Sequence, residues 1–254
     1  MRILVLVKRV PATGGRIVLA DDARSIDTRY LGFVVSPHEE CAVEEAVRLI
    51  DANGGESVVL TLGPTEAADQ LRDALAIGIE RAVLLETDGS DWDPVATAGA
   101  ITDAVKDLEA AGGPFDLILA GNESADSGGY QVAIRVAVAL DRPIVTGIKA
   151  LEVRDGVATA RRQVPGGADV YELPLPAVVA VREGINLPRY PSVPGRLRAK
   201  RKEIERIVPE RRPGGPTLDR LQVPVEQEQH VEILGNGPEA APRVVELMRE
   251  LGVL

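Results

Sequence analysis

The sequence predicts an α/β fold built on a doubly wound, mainly parallel sheet, with a protruding basic arm and a C-terminal extension. Three observations carry that expectation. Apolar runs of strand length alternate with helix-period segments from residue 2 to about 148. The runs are near-continuous in Val, Ile and Leu, as strands covered on both faces require. Beyond residue 187 the chain turns proline-rich and basic, then polar.

Taken in order, strands are expected at Arg2–Lys8, Ser57–Thr61, Ala82–Glu86 and Phe115–Ala120, with helices at about His38–Asn53, Thr65–Ile77, Pro94–Ala111 and Gly129–Leu140. The first three helices end on the glycine-bearing exits "NGG", "IGI" and "AGG". Repeated β-α units require right-handed crossovers, and ligands in such sheets sit beyond the carboxyl ends of the strands, near a switch in strand order. After Pro143, two alternating runs flank Asp155-Gly156, a hairpin signal, and "LPAVVAV" at 175–181 reads as another buried strand. These are expected to extend the sheet at an edge. The divisions that follow are a nucleotide-binding domain at 1–186, an arm and basic linker at 187–215, and an extension at 216–254 holding one amphipathic helix at about Pro238–Leu251. That helix is too short to fold alone and is expected to pack on a partner subunit. Between Arg196 and Arg212 stand eight Lys or Arg against three Glu, which reads as an arm leaving the domain rather than as core.

A chain of 254 residues, 45% hydrophobic and 27% charged, is long enough for one large domain with appendages. Its net charge of −10 argues against general nucleic-acid binding, which needs clustered cations in excess. The single cysteine, Cys41, excludes an internal disulfide framework. The opening "MRILVLVKRV" is too short an apolar run for a signal peptide or membrane insertion, so a cytoplasmic location is expected.

The stretch "AGNESADSGGYQVAIRV" carries the chemistry. An apolar strand ends at Gly121, and Asn122, Glu123, Ser124, Ala125, Asp126, Ser127, Gly128 and Gly129 lead through Tyr130 into a helix. Free amides at a helix start and glycines that let the backbone approach closely suit a phosphate. Capping of the helix by Ser124, Asp126 and Ser127 explains the same residues. Lys8 ends the first strand nearby, and Ser36 and Pro37 stand at cap-like positions before the next helix. His38 and Cys41 are spaced i,i+3, but with only the distant His230 to join them they make no metal set; Cys41 is expected as core filler. No Ser-His-Asp or paired-carboxylate arrangement is recognisable.

At this point the chain resembles a family. "ILVLVKRVPAT", "AVEEAVRLIDANGG", "VVLTLGP", "LRDALAIGIERAVLL", "LILAGNESADSGG" and "LPAVVAVREGINLPRYPSVPGRLRAKRKEIE" follow, in order and spacing, the β subunit of electron-transfer flavoproteins across residues 1–207. The resemblance implies an adenine-nucleotide α-hydrolase-like fold and an electron carrier rather than an enzyme. It implies an obligate heterodimer with an α subunit whose own domain binds FAD, and a structural AMP in the β subunit. The arm would dock acyl-CoA or other flavin dehydrogenases, and electrons would pass on to a quinone oxidoreductase or another acceptor.

Carried over residue by residue, the AMP site falls on Leu6, on Ser36, Pro37, His38 and Glu39, on Leu62, and on Gly121 through Tyr130, Gln131 and Val132, with the phosphate on the amides of Asp126–Gly129 and Gln131. The docking arm, about Glu183–Arg206, falls on Tyr190, Pro191, Val193, Pro194, Arg196, Arg198, Lys200, Arg201 and Lys202, with Val193 as its apolar anchor. The chain departs from the family pattern at Ala12 and Ser36, where Asp and Asn are usual, at Gln163 and Pro165, where an acidic residue is common, and at Val193, where Leu is usual. Two alternatives stand beside the electron carrier: a bifurcating β subunit with a second FAD and NADH, and a nucleotide-binding signalling module.

Overall fold

The computed structural model describes residues 1–12, 14, 17–212, 214–224 and 231–254; His230 lies outside them. In chain order the elements are β1 (Arg2–Leu6), β2 (Arg9–Pro11), β3 (Phe33–Val35), α1 (Pro37–Asn53), β4 (Glu56–Gly63), a 3-10 turn (Thr65–Ala67) leading into α2 (Ala68–Ile77), β5 (Arg81–Glu86), α3 (Pro94–Gly112), β6 (Leu117–Gly121) and α4 (Gln131–Ala139). Then come β7 (Ile144–Ile148), β8 (Ala150–Arg154), β9 (Val157–Val164), β10 (Gly167–Pro174), β11 (Ala177–Val181), α5 (Val193–Arg201), β12 (Glu205–Ile207) and α6 (Ala241–Glu250).

Seven strands form one parallel sheet in the order β12-β5-β4-β1-β6-β11-β7. The predicted strands build its centre, where β1 is buried along its whole length. Alternation divides its side chains between two cores. Ile3, Val5, Val59, Leu117 and Leu119 pack with α1 and α2, whereas Leu4, Leu60, Val83, Ile118 and Val178 pack with α3 and α4. Each fully buried Leu or Ile adds roughly 1.5–3 kcal/mol, so the double cover is what holds the sheet. The helices are bounded as the sequence suggests. Asp93 caps α3 by accepting from Val95 N and Ala96 N at 2.8 and 3.0 Å, and Gly54, Gly78 and Gly113 end α1, α2 and α3. Strand order reverses at β1, between β4 and β6, which places the switch point at the carboxyl ends of these strands.

Two expectations are corrected. The Asp155-Gly156 hairpin does form, but β8, β9 and β10 make a separate antiparallel sheet instead of extending the main one. Their alternating pattern buries one face only, through Leu151, Ala158, Ala160 and Leu173, which a doubly covered sheet would not accept. The 175–181 run enters the main sheet as β11, between β6 and β7 rather than at an edge, and all of β11 is buried. A ribbon of β2 and β3 and the edge strands β7 and β12 were not expected.

Of the segment expected as an arm, residues 193–207 fold back onto the body. Helix α5 packs along α2 with Ala199 buried, Arg72 Nη1 donates to Ala199 O at 2.8 Å, and β12 pairs with β5. Residues 187–192, before α5, have no regular secondary structure, and Leu187 and Tyr190 among them are exposed. In the extension, Val244, Val245 and Met248 of α6 and Leu251 just past its end are all exposed. Among the described residues no helix is long and apolar enough to cross a membrane.

Candidate functional site

The carboxyl ends of β1, β4 and β6 meet the first turn of α1. Lys8, just past β1, joins them: its backbone N–H donates to Glu39 Oε2 at 2.7 Å and its Nζ to Asp126 Oδ2 at 2.7 Å. The 121–129 loop is therefore held against α1 through Lys8. Gly121 allows the closest approach, since a Cβ there would lie 2.7 Å from Glu39 Cγ and 3.2 Å from His38 Cβ. The loop carries no cation of its own, and Lys8, 118 positions away, supplies one.

Inside the loop, Ser124 organises the turn. Gly128 N donates to Ser124 O at 2.9 Å, Gly129 N to Ser124 Oγ at 3.0 Å, and Ser127 N to Asp126 Oδ1 at 2.8 Å. Gly128 has φ +60, a conformation that favours glycine. Three of the amides expected to hold a phosphate, those of Ser127, Gly128 and Gly129, are thus engaged within the loop. The amides of Asp126, Tyr130 and Gln131 make no hydrogen bond among the described residues. The capping alternative is corrected too: Tyr130 occupies the N-cap of α4 without a side-chain bond, so Ser124, Asp126 and Ser127 shape the loop rather than cap the helix.

Burial and charge set the protonation states. Burial pushes the Glu39 carboxyl up to about 8, against the lowering effect of the Lys8 amide and ammonium. Burial would also raise Asp126, but its ion pair with Lys8 and its hydroxyl and amide donors leave it below the usual carboxylate range. His38 is lowered, mainly by burial, and is neutral at pH 7. Two polar atoms here are buried without a partner, Ser36 Oγ and His38 Nδ1. Ser36 is the N-cap residue of α1, yet its side chain caps nothing. An orphaned hydroxyl and an orphaned imidazole nitrogen beside an exchangeable Lys8 contact fit a polar, anionic ligand such as a nucleotide.

The other expected positions surround this cluster. Leu6 ends β1 and Leu62 stands near the end of β4, both packed on the α3–α4 core with Val132 of α4. Asn122 N donates to Val181 O at 2.9 Å, which ties the loop to β11. Pro37 opens α1, Gln131 accepts from Arg135 within α4, and the charge of Glu123 acts on His38. Ala125 is exposed. The described surface clefts, one between β12 and the end of α3 and one between α3 and α4, lie away from this region.

The docking residues lie on another element. Tyr190 is 96% and Val193 73% exposed, and Pro194, Arg196, Arg198, Lys200 and Arg201 are exposed with them, while Pro191 is half-buried. Lys202 differs: its Nζ donates to Ile79 O and Glu80 O at 3.0 and 2.9 Å, so it fastens α5 to the body instead of projecting. The "NLPRYPS" stretch fixes the base of the segment. Asn186 Nδ2 donates to Cys41 O and Glu45 Oε2, the Arg189 guanidinium engages both oxygens of the buried Glu44, and Ser192 caps α5 by accepting from Gly195 N. Sequence reasoning missed Lys8, Asn186 and Arg189 as anchors, because their partners are 31 to 145 positions away.

Comparison with known proteins adds an independent finding. A family model described as the electron transfer flavoprotein domain matches residues 25–211. A Bacillus subtilis electron transfer flavoprotein subunit beta is 35% identical, with 98% of each chain covered. The Syntrophomonas wolfei protein of the same name is 38% identical over 80% of this chain and 78% of its own. A mitochondrial subunit beta from Oryza sativa is 34% identical over 83% of each.

Proposed function

The chain belongs to the electron transfer flavoprotein β-subunit family, and on that premise we propose that it holds AMP at the β1–β4–β6 strand ends, pairs with an α subunit that carries FAD, and docks flavin dehydrogenases through residues 187–201. The observation that carries the nucleotide part is the convergence of Lys8, the 121–131 loop and the buried, unpartnered Ser36 Oγ at the switch point of the sheet. A phosphate arriving there exchanges with Asp126 for the Lys8 ammonium and finds the spare amides of Asp126, Tyr130 and Gln131 at a helix start. Because the loop amides of Ser127–Gly129 are already satisfied, the turn is preformed and binding orders little backbone.

The flavin of the partner subunit supplies the electron-carrying chemistry; this chain's residues bind, orient and dock. Leu187, Tyr190 and Val193 offer apolar side chains on a rigid base set by the Arg189–Glu44 pair. Arg196, Arg198, Lys200 and Arg201 surround them with positive charge, which speeds encounter with an acidic dehydrogenase surface. The uncovered apolar side of α6 is proposed to pack on the α subunit. Electrons then leave for a quinone oxidoreductase or another acceptor.

The test is co-expression of this chain with its α subunit. The two are expected to co-purify as a heterodimer with a flavin absorption spectrum that a cognate dehydrogenase bleaches. Failure of the chains to associate, or a flavin that no dehydrogenase reduces, refutes the reading.

A further inference from the structure

Two adjacent acids of α1, Glu44 and Glu45, are each only 5% exposed. Consecutive helix positions point about 100° apart, so the two carboxylates leave α1 in different directions. Both end on the same short segment. Glu44 takes Arg189: its Oε2 accepts from the Arg189 backbone N–H at 3.1 Å, and its two oxygens accept from Arg189 Nε at 2.9 and 3.1 Å and from Nη2 at 2.9 Å. Glu45 takes Asn186: its Oε2 accepts from Asn186 Nδ2 at 2.8 Å, and the same amide donates to Cys41 O at 3.0 Å. Cys41, one turn earlier on α1, is sealed with them, its Sγ 3.8 Å from Asn186 O and the residue 1% exposed. The intervening side chains turn the other way, since Leu187 and Tyr190 are almost fully exposed. Pro188 and Pro191 restrict the backbone between the gripped residues and α5. A stretch without regular secondary structure is thus held in one shape by a helix beside it.

We infer that Glu44 and Glu45 are positioning residues for dehydrogenase docking: by gripping Arg189 and Asn186 they hold residues 186–192 in the shape that presents Leu187, Tyr190 and, at the start of α5, Val193 as a preformed apolar surface. The inference rests on the docking reading above. In the closed shape the two carboxylates are out of water and satisfied by the segment. With either partner weakened, that shape strands a buried acid, and the segment lifts to hydrate it. Only the closed shape presents the surface, so affinity for the dehydrogenase falls with its population. An intact clamp spares the complex the entropy of ordering the segment on binding.

The experiment compares heterodimers carrying wild type, Glu44→Gln or Arg189→Lys, with Val193→Ala as the docking control. Glu44→Gln keeps the side chain's shape but turns one acceptor toward the guanidinium into a donor, and Arg189→Lys keeps the charge without the paired bonds. Cys41 is the only cysteine of this chain and is covered by Asn186, so its alkylation by N-ethylmaleimide without denaturant, read by peptide mass spectrometry, reports lifting of the segment. Both variants should alkylate about tenfold faster and raise the dehydrogenase Michaelis constant for the carrier about tenfold, with kcat, flavin content and heterodimer yield unchanged. A merely structural clamp would lower the urea midpoint and leave the Michaelis constant alone. A wild-type constant in both variants while Val193→Ala raises it, whatever the alkylation rate, overturns the inference and leaves the docking reading standing. A wild-type constant in all three overturns both. Should Glu44→Gln and Arg189→Lys fail to assemble, Glu45→Gln, which weakens only the Asn186 bond, carries the same two readouts, and an unchanged constant there overturns the inference.

Discussion

Replacing Glu39 by Gln tests the electrostatics of the site directly. Glu39 is buried, its Oε2 accepts the Lys8 N–H at 2.7 Å, and burial holds its pKa at about 8 instead of the ordinary 4.5. The folded state therefore keeps a proton that the unfolded chain releases. Stability from this group is complete below pH 4.5, falls as pH rises through the window up to 8, and is flat above it. The whole displacement corresponds to about 5 kcal/mol, of which roughly half falls between pH 6 and pH 9. Gln reproduces the shape and the acceptor of the protonated acid without the titration. Urea unfolding of both proteins at pH 6, 7.5 and 9 should show Glu39→Gln gaining about 2–3 kcal/mol on wild type across that range. A stability difference that does not change with pH would mean that Glu39 is ionised in the fold, and the reasoning would fail.

Three further outcomes are expected. Gly121→Ala puts a Cβ within 2.7 Å of Glu39 Cγ and should shift the first turn of α1, lowering AMP affinity about tenfold in calorimetric titration; unchanged affinity would remove this contact from the site. Arg189→Ala leaves the Glu44 carboxylate, 6% exposed, without its guanidinium and should cost about 2 kcal/mol in urea unfolding, less than a fully buried pair because Arg189 itself is 41% exposed; a cost near zero would make the pair ornamental. Val193→Ala, at a side chain 73% exposed, should leave heterodimer yield and flavin content intact and raise the dehydrogenase Michaelis constant for the carrier about tenfold, whereas an equal constant would move the anchor elsewhere.

The central fold was legible because its strands are doubly covered. Continuous runs such as "RILVL" and "LILAG" have one physical use in a chain of this composition, and glycine exits mark the helix ends. The elements missed lack that signature. The three-residue strands β2, β3 and β12 owe their form to pairing, and β7 runs into β8 with only Lys149 between them. At the site, the glycine loop was readable from residue type, but Lys8 as its cation depends on which strand ends become neighbours. The basic run shows the same limit. Lys202 reads as docking charge in sequence and serves as a fastener in the fold, because charge pattern alone does not say which carboxylate or carbonyl lies within reach.

The measurement that bears most directly on the account is the inventory of small molecules released when the purified heterodimer is denatured. The expected result is one AMP per β chain, one FAD per heterodimer, and no flavin from the β chain when it is prepared without its partner. A second FAD per heterodimer in place of AMP, or no nucleotide from the β chain at all, would contradict the assignment of Lys8, Ser36 and the 121–131 loop to an AMP site.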